Sequence, residues 1–102
     1  MAATPESKVK AAVRKVLDAN GAYYFLPAAN GFGRAGIPDI IACVDGLLLA
    51  IECKAGKGKT TALQDREIAA IIASGGRAIV VNETNINEVQ ENITWMRSNL
   101  TK

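Results

Sequence analysis

Histidine is absent from this sequence of 102 residues, and its two cysteines are not spaced as a Cys-x-x-Cys pair. The absence of histidine excludes Ser-His-Asp and Cys-His catalytic arrangements, histidine-ligated zinc and the most common general base. Two isolated cysteines indicate neither a disulfide framework nor a zinc site. Any catalysis by this chain must therefore use carboxylates, lysine, tyrosine or a bound metal ion.

Long hydrophobic runs and a strong excess of either charge are also missing. The longest apolar stretches, such as Leu47–Ile51, are far shorter than the roughly 20 residues that span a bilayer. The first residues contain no hydrophobic signal segment, so we expect a cytoplasmic protein with no membrane partner. A net charge of +2 permits nucleic-acid binding without requiring it. Length and composition predict a single domain over residues 1–102.

What the chain does contain is a regular succession of helix, strand and turn signals. Asp45-Gly46 joins two β-branched apolar runs, Asp39–Val44 and Leu47–Lys54, in the pattern of a β-hairpin. The other predicted elements are a helix from Pro5 capped by Thr4, a strand at Ala22–Pro27, a helix with a Thr61/Gln64 capping box, a strand at Arg77–Val81, and a last helix capped by Asn85 and Glu88. The order α-β-β-β-α-β-α predicts an α/β fold with a mixed four-stranded sheet flanked by helices.

Two glycine-rich stretches resemble nucleotide-binding motifs but lack the required context. Residues 31–36 match G-x-G-x-x-G, yet Ile37-Pro38-Asp39 follows them and begins a strand instead of a phosphate-binding helix. Gly58-Lys59-Thr60 resembles the end of a P-loop, but Cys53 stands where that motif requires glycine. We therefore expect no nucleotide cofactor.

The predicted hairpin brings three polar side chains together. With Asp45 and Gly46 as its loop, Asp39 faces Glu52 across the strands, and Lys54 lies on the same face as Glu52. Opposed carboxylates with Cβ atoms roughly 4.5–5.5 Å apart repel each other, so this pair requires an explanation. A divalent cation provides one, because Mg²⁺ is usually held by one or two carboxylates with water and phosphate oxygens.

A metal ion beside a lysine is also the combination that phosphodiester hydrolysis requires. The metal activates water and neutralises phosphate oxygens, while the lysine orients the attack or stabilises charge in the transition state. The alternative is a salt-bridged trio at a strand end with no catalytic role. The three residues alone leave both interpretations open.

The residues Gly36-Ile37-Pro38-Asp39 and Ile51-Glu52-Cys53-Lys54 form a G-x-P-D…E-x-K arrangement. This arrangement resembles the PD-(D/E)xK nuclease superfamily and, more narrowly, the virus-type replication-repair nuclease (VRR-NUC) family. The narrower resemblance covers about residues 4–82 and includes an early helical Glu6, Gln64 in the helix after E-x-K, and the strand that follows Gly75-Gly76. It implies a restriction-endonuclease-like core and a nuclease activity.

The resemblance also implies roles for individual residues. Asp39 and Glu52 would hold Mg²⁺ or Mn²⁺, and the main-chain carbonyl of Cys53 would complete the protein ligands. Lys54 would position the attacking water or stabilise charge on the phosphate. These roles agree with those that the hairpin register suggests for the same carboxylates and lysine.

Further candidates surround this group. Glu6 and Gln64 are candidate catalytic residues, and the alternatives are a first-turn carboxylate favoured by the helix dipole and a simple capping-box residue. Loop glycines would let DNA approach the backbone closely, and loop cations would contact phosphates, unless those cations are merely solvated. The candidate DNA-binding residues are Gly33, Arg34, Lys57 and Lys59.

These observations predict a small Mg²⁺-dependent endodeoxyribonuclease. For a single-domain member, the resemblance implies a homodimeric resolvase of branched DNA such as Holliday junctions, located in the host cytosol if a phage encodes it. Two-fold symmetry suits a four-way junction because two paired cuts are needed. Trp95 on the last helix is a candidate dimer contact, and the alternative is that it completes the core. The alternatives are a flap, nicking or restriction-like nuclease, and a non-catalytic DNA-binding module on the same fold.

Overall fold

The computed structural model describes residues 4–28 and 34–99, which form three helices and four strands. In chain order these are α1 (Pro5–Ala19), β1 (Tyr23–Phe25), β2 (Ile40–Val44), β3 (Leu47–Cys53), α2 (Ala62–Ala73), β4 (Arg77–Val81) and α3 (Asn87–Asn99). The predicted order of elements is confirmed. None of the helices in these ranges is long and apolar enough to cross a membrane.

The four strands form one mixed sheet in the order β1-β2-β3-β4. The first three are antiparallel neighbours, and β4 pairs parallel to β3 after the chain crosses over through α2. The turn between β2 and β3 has φ of 52° at Asp45 and 85° at Gly46, the two positive angles of a type I′ hairpin. This turn fixes the pairing from Val44↔Leu47 to Ile40↔Ile51 that the sequence predicts.

One face of the sheet packs against α1 and α3 and forms the hydrophobic core. Each helix contributes three buried side chains, with three or four residues from one to the next, and the central strands contribute every second residue. The fully buried larger side chains are Val13, Leu17, Ile40, Val44, Leu49, Ile51, Cys53, Val81, Val89, Ile93 and Met96. This packing supports the adjoining ends of β2 and β3, where Asp39 precedes β2, Glu52 lies in β3 and Lys54 follows it.

Helix α2 lies on the opposite face of the sheet and contributes little to that core. Glu67 is its one buried residue, whereas Leu63 and Ile72 are 44% and 54% exposed. The side chains of α2 that reach inward are partly polar, because Gln64 contacts Glu52 on β3. The apolar residues that mark this helix in the sequence therefore do not form a buried stripe.

The predicted cap of the last helix is wrong. Helix α3 begins at Asn87, and the side chain of Asn85 accepts a hydrogen bond from the Asn82 backbone N–H at 2.7 Å. The Asn85 amide also donates to the Val80 carbonyl at 3.2 Å. Asn85 therefore stabilises the turn that leaves β4, because these nearby backbone groups are available to its side chain.

Candidate active site

The ends of β2 and β3 place Asp39, Glu52 and Lys54 in one group, as the sequence predicts, but the position of Asp39 differs. The β2–β3 ladder ends at Ile40↔Ile51, so Asp39 does not pair with Glu52 as a strand residue. Its Oδ2 instead accepts a hydrogen bond from the Cys53 N–H at 2.9 Å. The carboxylate thus takes the place of the backbone acceptor in the next hydrogen bond of the ladder. As a result, the Asp39 side chain lies beside the end of β3.

Glu52 is the most deeply buried member of the group, with 2% of its surface exposed. Its Oε2 accepts a hydrogen bond from Gln64 Nε2 at 3.1 Å and lies 3.4 Å from Lys54 Nζ. Its Oε1 is buried and has no hydrogen-bond partner among the described residues. A buried carboxylate oxygen without a hydrogen-bond donor is costly, so this atom is well suited to bind a cation.

Burial and the neighbouring carboxylate both disfavour the charged form of Glu52. Desolvation makes the largest contribution, the negative charge of Asp39 the next, and a hydrogen bond between the two carboxyl groups in the protonated form the third, and together they raise the pKa of Glu52 to about 7. Lys54 opposes this shift without cancelling it. Perturbed carboxylates of this kind are typical of functional sites.

Helix α1 contributes a residue that the sequence analysis missed. Lys10 Nζ lies 3.7 Å from Asp39 Oδ1 and 3.7 Å from Glu6 Oε2, so its ammonium stands between the two carboxylates. Glu6 therefore reaches the group through Lys10. The spacing of Glu6 and Lys10 by one helical turn is a sequence signal for this pair, but the contact with Asp39 depends on the fold.

Gln64 contacts both the cap of its own helix and the candidate site. Its Oε1 accepts a hydrogen bond from the Thr61 N–H at 2.9 Å, and the Thr61 hydroxyl accepts one from the Gln64 N–H at 3.2 Å. These contacts form the predicted capping box. The Nε2 end of the same amide binds Glu52, so the beginning of α2 is attached to the candidate site.

The loop that leads to Asp39 is held against α2 by two contacts. Gly36 has φ of 82°, and a Cβ atom there would lie 2.5 Å from the carbonyl oxygen of Leu63. Arg34 binds Glu67 through two hydrogen bonds of 3.0 and 2.9 Å. The guanidinium holds the pKa of Glu67 below its usual range. Arg34, a predicted phosphate contact, thus has a protein partner on α2.

The other predicted DNA contacts lie near the group or outside the described residues. Lys57 and Lys59 are exposed on the loop between β3 and α2. The Glu83 carboxylate accepts hydrogen bonds from the Gly56 N–H at 3.0 and 2.9 Å and anchors this loop. Gly33 lies outside the described residues. Their roles in DNA binding remain predictions.

The carboxylate oxygens of Asp39 and Glu52 fit a hard divalent cation that takes few ligands from the protein. No cluster of three Asp, Glu, Cys or His side chains that could hold a metal is found in residues 4–28 and 34–99. Mg²⁺ does not require one, because it commonly uses one or two carboxylates and keeps several waters. The carboxylates of Asp39 and Glu52, including the buried Oε1 of Glu52, therefore match the ligands that Mg²⁺ uses.

The thiol of Cys53 is not part of this donor set. The side chain is fully buried in the core on the other face of the sheet. Burial and the nearby carboxylates of Asp39 and Glu52 raise its pKa to about 12, so it stays protonated. The main-chain carbonyl of Cys53 is the group that the family resemblance implies as a metal ligand, and this role stays a prediction.

Comparison with known proteins identifies the family and the fold of this chain. The model of the archaeal Holliday junction resolvase (Hjc) family matches residues 8–94. The chain belongs to this family. It is also 36% identical over 58 residues to a phage protein described as "Putative nuclease p44", from Acyrthosiphon pisum secondary endosymbiont phage 1. That match spans 56% of this chain and 62% of the phage protein, so it covers less than two thirds of the relative.

The fold has a solved counterpart. A structure described as a VRR_NUC domain superimposes with a TM-score of 0.70, covering 97% of this chain and all of that one, at 20% sequence identity. This likeness confirms the predicted restriction-endonuclease-like fold. Family and fold together place the chain in a nuclease family of the restriction-endonuclease-like superfamily, which is the broader of the two resemblances in the sequence.

Proposed function

We propose that this resolvase-family nuclease is an Mg²⁺- or Mn²⁺-dependent endonuclease that cuts branched DNA, Holliday junctions in particular, as a homodimer. The observation that carries the metal dependence is the buried, unpartnered Oε1 of Glu52 beside Asp39 and Lys54. The family match to resolvases supports the branched substrate, and the VRR_NUC fold is consistent with the narrower resemblance.

Each residue of the group has a defined task in this proposal. Asp39 and Glu52 would hold the cation, which would polarise the scissile phosphate and lower the pKa of a bound water. Lys54 Nζ, 3.4 Å from Glu52, would donate to the attacking water or to a phosphate oxygen. Gln64 fixes the orientation of the Glu52 carboxylate through Oε2 and leaves Oε1 for the ligand.

A homodimer would supply the two cuts that a four-way junction requires. Two-fold related sites match the paired strands of the junction. Trp95, the predicted dimer contact, is 43% exposed on α3, and the guanidinium of Arg77 lies 4.4 Å from its ring centre. One face of the ring is therefore covered within the chain. Sedimentation of the protein with and without a junction would measure the assembly, and a strict monomer in both conditions would contradict this part of the proposal.

The first test is cleavage of a labelled four-way junction in Mg²⁺ and in Mn²⁺, with linear duplex and flap substrates as controls. We expect paired nicks in the junction and a loss of at least about 100-fold for Asp39→Ala and Lys54→Ala. Lys15→Ala, an exposed substitution on α1, is the matched control and should cut normally. Cleavage of flaps or linear duplex instead would keep the nuclease and reject the resolvase.

A non-catalytic DNA-binding module is the second candidate. It would bind the junction in the absence of metal and cut none of the substrates, and Asp39→Ala would bind as well as the unchanged protein. The raised pKa of Glu52 and its unpartnered oxygen argue against this candidate, because a module that only binds DNA has no need for either.

A further inference from the structure

The ammonium of Lys10 is poised at the edge of the candidate metal site. It is 3.7 Å from Asp39 Oδ1, and the Lys10 side chain is 31% exposed, compared with 22% for Asp39. The other oxygen of Asp39, Oδ2, already accepts a hydrogen bond from the Cys53 N–H at 2.9 Å. A cation that binds Asp39 through its Oδ1 atom must therefore approach the ammonium of Lys10.

Lys10 and Lys54 lie beside different carboxylates of the candidate site. Lys54 lies next to Glu52 Oε2, and Lys10 lies next to Asp39 Oδ1. Each of these two carboxylates thus has an ammonium beside it, with Lys10 shared between Asp39 and Glu6, and the positive charges reduce the repulsion between Asp39 and Glu52. Lys54 comes from the E-x-K motif on β3, whereas Lys10 comes from a different element, α1.

We propose that Lys10 is a counter-cation of the site: it neutralises Asp39 while the site holds no metal, and it competes with the divalent cation for Asp39 Oδ1. The inference rests on the proposed metal-dependent function. Its consequence is that Lys10 weakens metal binding, since a divalent cation must approach a positive charge and displace it. In return, Lys10 keeps the carboxylates in place before the metal arrives.

The competing explanation is an ordinary surface ion pair between Glu6 and Lys10, one turn apart on α1. Exposed pairs of this kind contribute little to helix stability. Such a pair would have no influence on metal affinity. The two explanations therefore differ in the response of Mg²⁺ binding to loss of the Lys10 charge.

The experiment is a calorimetric titration of the full chain with Mg²⁺ alone, without DNA. We expect Lys10→Met to bind Mg²⁺ about tenfold more tightly than the unchanged protein, because one repelling charge is removed at close range. Lys10→Arg keeps the charge and should stay within about twofold of the unchanged protein. Lys15→Met removes a charge elsewhere on α1 and controls for the change in net charge. Lys10→Gln replaces Lys10→Met if the latter does not fold.

Unchanged or weaker Mg²⁺ binding in both neutral variants would overturn the inference, as would the absence of Mg²⁺ binding in every protein. An equal gain in Lys15→Met would also overturn it, since net charge would then be sufficient. Asp39→Ala separates this result from the proposed function. If Asp39→Ala loses Mg²⁺ while Lys10→Met matches the unchanged protein, only the role of Lys10 is wrong. If Asp39→Ala binds normally, the proposed metal site is itself wrong.

Discussion

The amide of Gln64 donates to Glu52 Oε2 at 3.1 Å, which attaches the first turn of α2 to the buried carboxylate at the end of β3. The other end of the same amide closes the capping box with Thr61. One side chain therefore has a structural task and a task at the candidate site. Two substitutions can separate them.

We expect Gln64→Glu to fold well and to cut poorly. Glutamate also forms a capping box, so the stability of α2 should be retained. A third carboxylate beside Glu52 would add like charge where Gln64 now donates a hydrogen bond, so cleavage should fall about tenfold or more. Thr61→Ala is the converse variant: it should lose about 1 kcal/mol of stability and keep its activity. Urea unfolding and junction cleavage measure both effects, and a fully active Gln64→Glu protein would contradict a role at the site.

The raised pKa of Glu52 predicts that stability falls with rising pH over a defined window. The folded protein binds this proton up to about pH 7, whereas the unfolded chain releases it near the ordinary glutamate pKa of 4.5. Between these values the folded state holds more protons, so the free energy of unfolding decreases as pH rises and levels off above pH 7. The total change is about 3 kcal/mol.

Glu52→Gln provides the comparison for that prediction. Glutamine cannot ionise, so this variant should lose the Glu52 contribution to the pH dependence and should be more stable than the unchanged protein at pH 8. Urea unfolding of both proteins at pH 5 and pH 8 measures the difference. If the two proteins show the same dependence on pH, the pKa of Glu52 is not raised. Binding of Mg²⁺ by the unchanged protein should strengthen as pH rises through 7, because the cation requires the ionised carboxylate.

The sequence contains enough local information to predict the framework of this site. The Asp-Gly turn sets the β2–β3 register through its two positive φ angles, and the register brings Asp39 and Glu52 to the same end of the sheet. The capping box of α2 is equally local, because Thr61 and Gln64 are three residues apart. Each of these features depends on contacts between near neighbours in the chain.

Contacts between elements that are far apart in the sequence could not be predicted in the same way. The meeting of Lys10 with Asp39 depends on how α1 packs against the sheet, and no periodicity of either segment specifies it. Asp39 leaves the strand ladder because its own carboxylate replaces a backbone partner, which alternation along a strand cannot anticipate. The pairing of Arg34 with Glu67 likewise joins residues far apart in sequence.

The close approach of Gly36 to α2 predicts a strong effect of a single methyl group. Gly36→Ala places Cβ 2.5 Å from the Leu63 carbonyl oxygen and 2.9 Å from the Gln64 nitrogen, so backbone must move. Gly46→Ala is the control, because its φ of 85° is nearly the same and nothing lies within 4 Å of its Cβ. We expect about 1 kcal/mol of destabilisation for the control and at least about 2 kcal/mol for Gly36→Ala. Equal losses in thermal unfolding would show that the contact with α2 is unimportant.

The loop cations predict how the affinity for DNA depends on salt. Each Lys or Arg that contacts a phosphate releases counterions, so its loss should reduce the slope of log K against log salt by about 1. Lys57 and Lys59 are exposed on the loop anchored by Glu83, and Lys57→Met and Lys59→Met should each show this reduction.

Arg34 should behave differently from these lysines because it already binds Glu67 through two hydrogen bonds. Arg34→Met leaves a buried carboxylate without its partner, so its main effect should be on folding stability, with a smaller change in salt slope than either lysine variant. Fluorescence anisotropy with a labelled junction in Ca²⁺ or EDTA, from 50 to 300 mM salt as an approximate range, measures the slopes without cleavage. A full unit of slope lost in Arg34→Met, with unchanged stability, would show that Arg34 leaves Glu67 to bind phosphate.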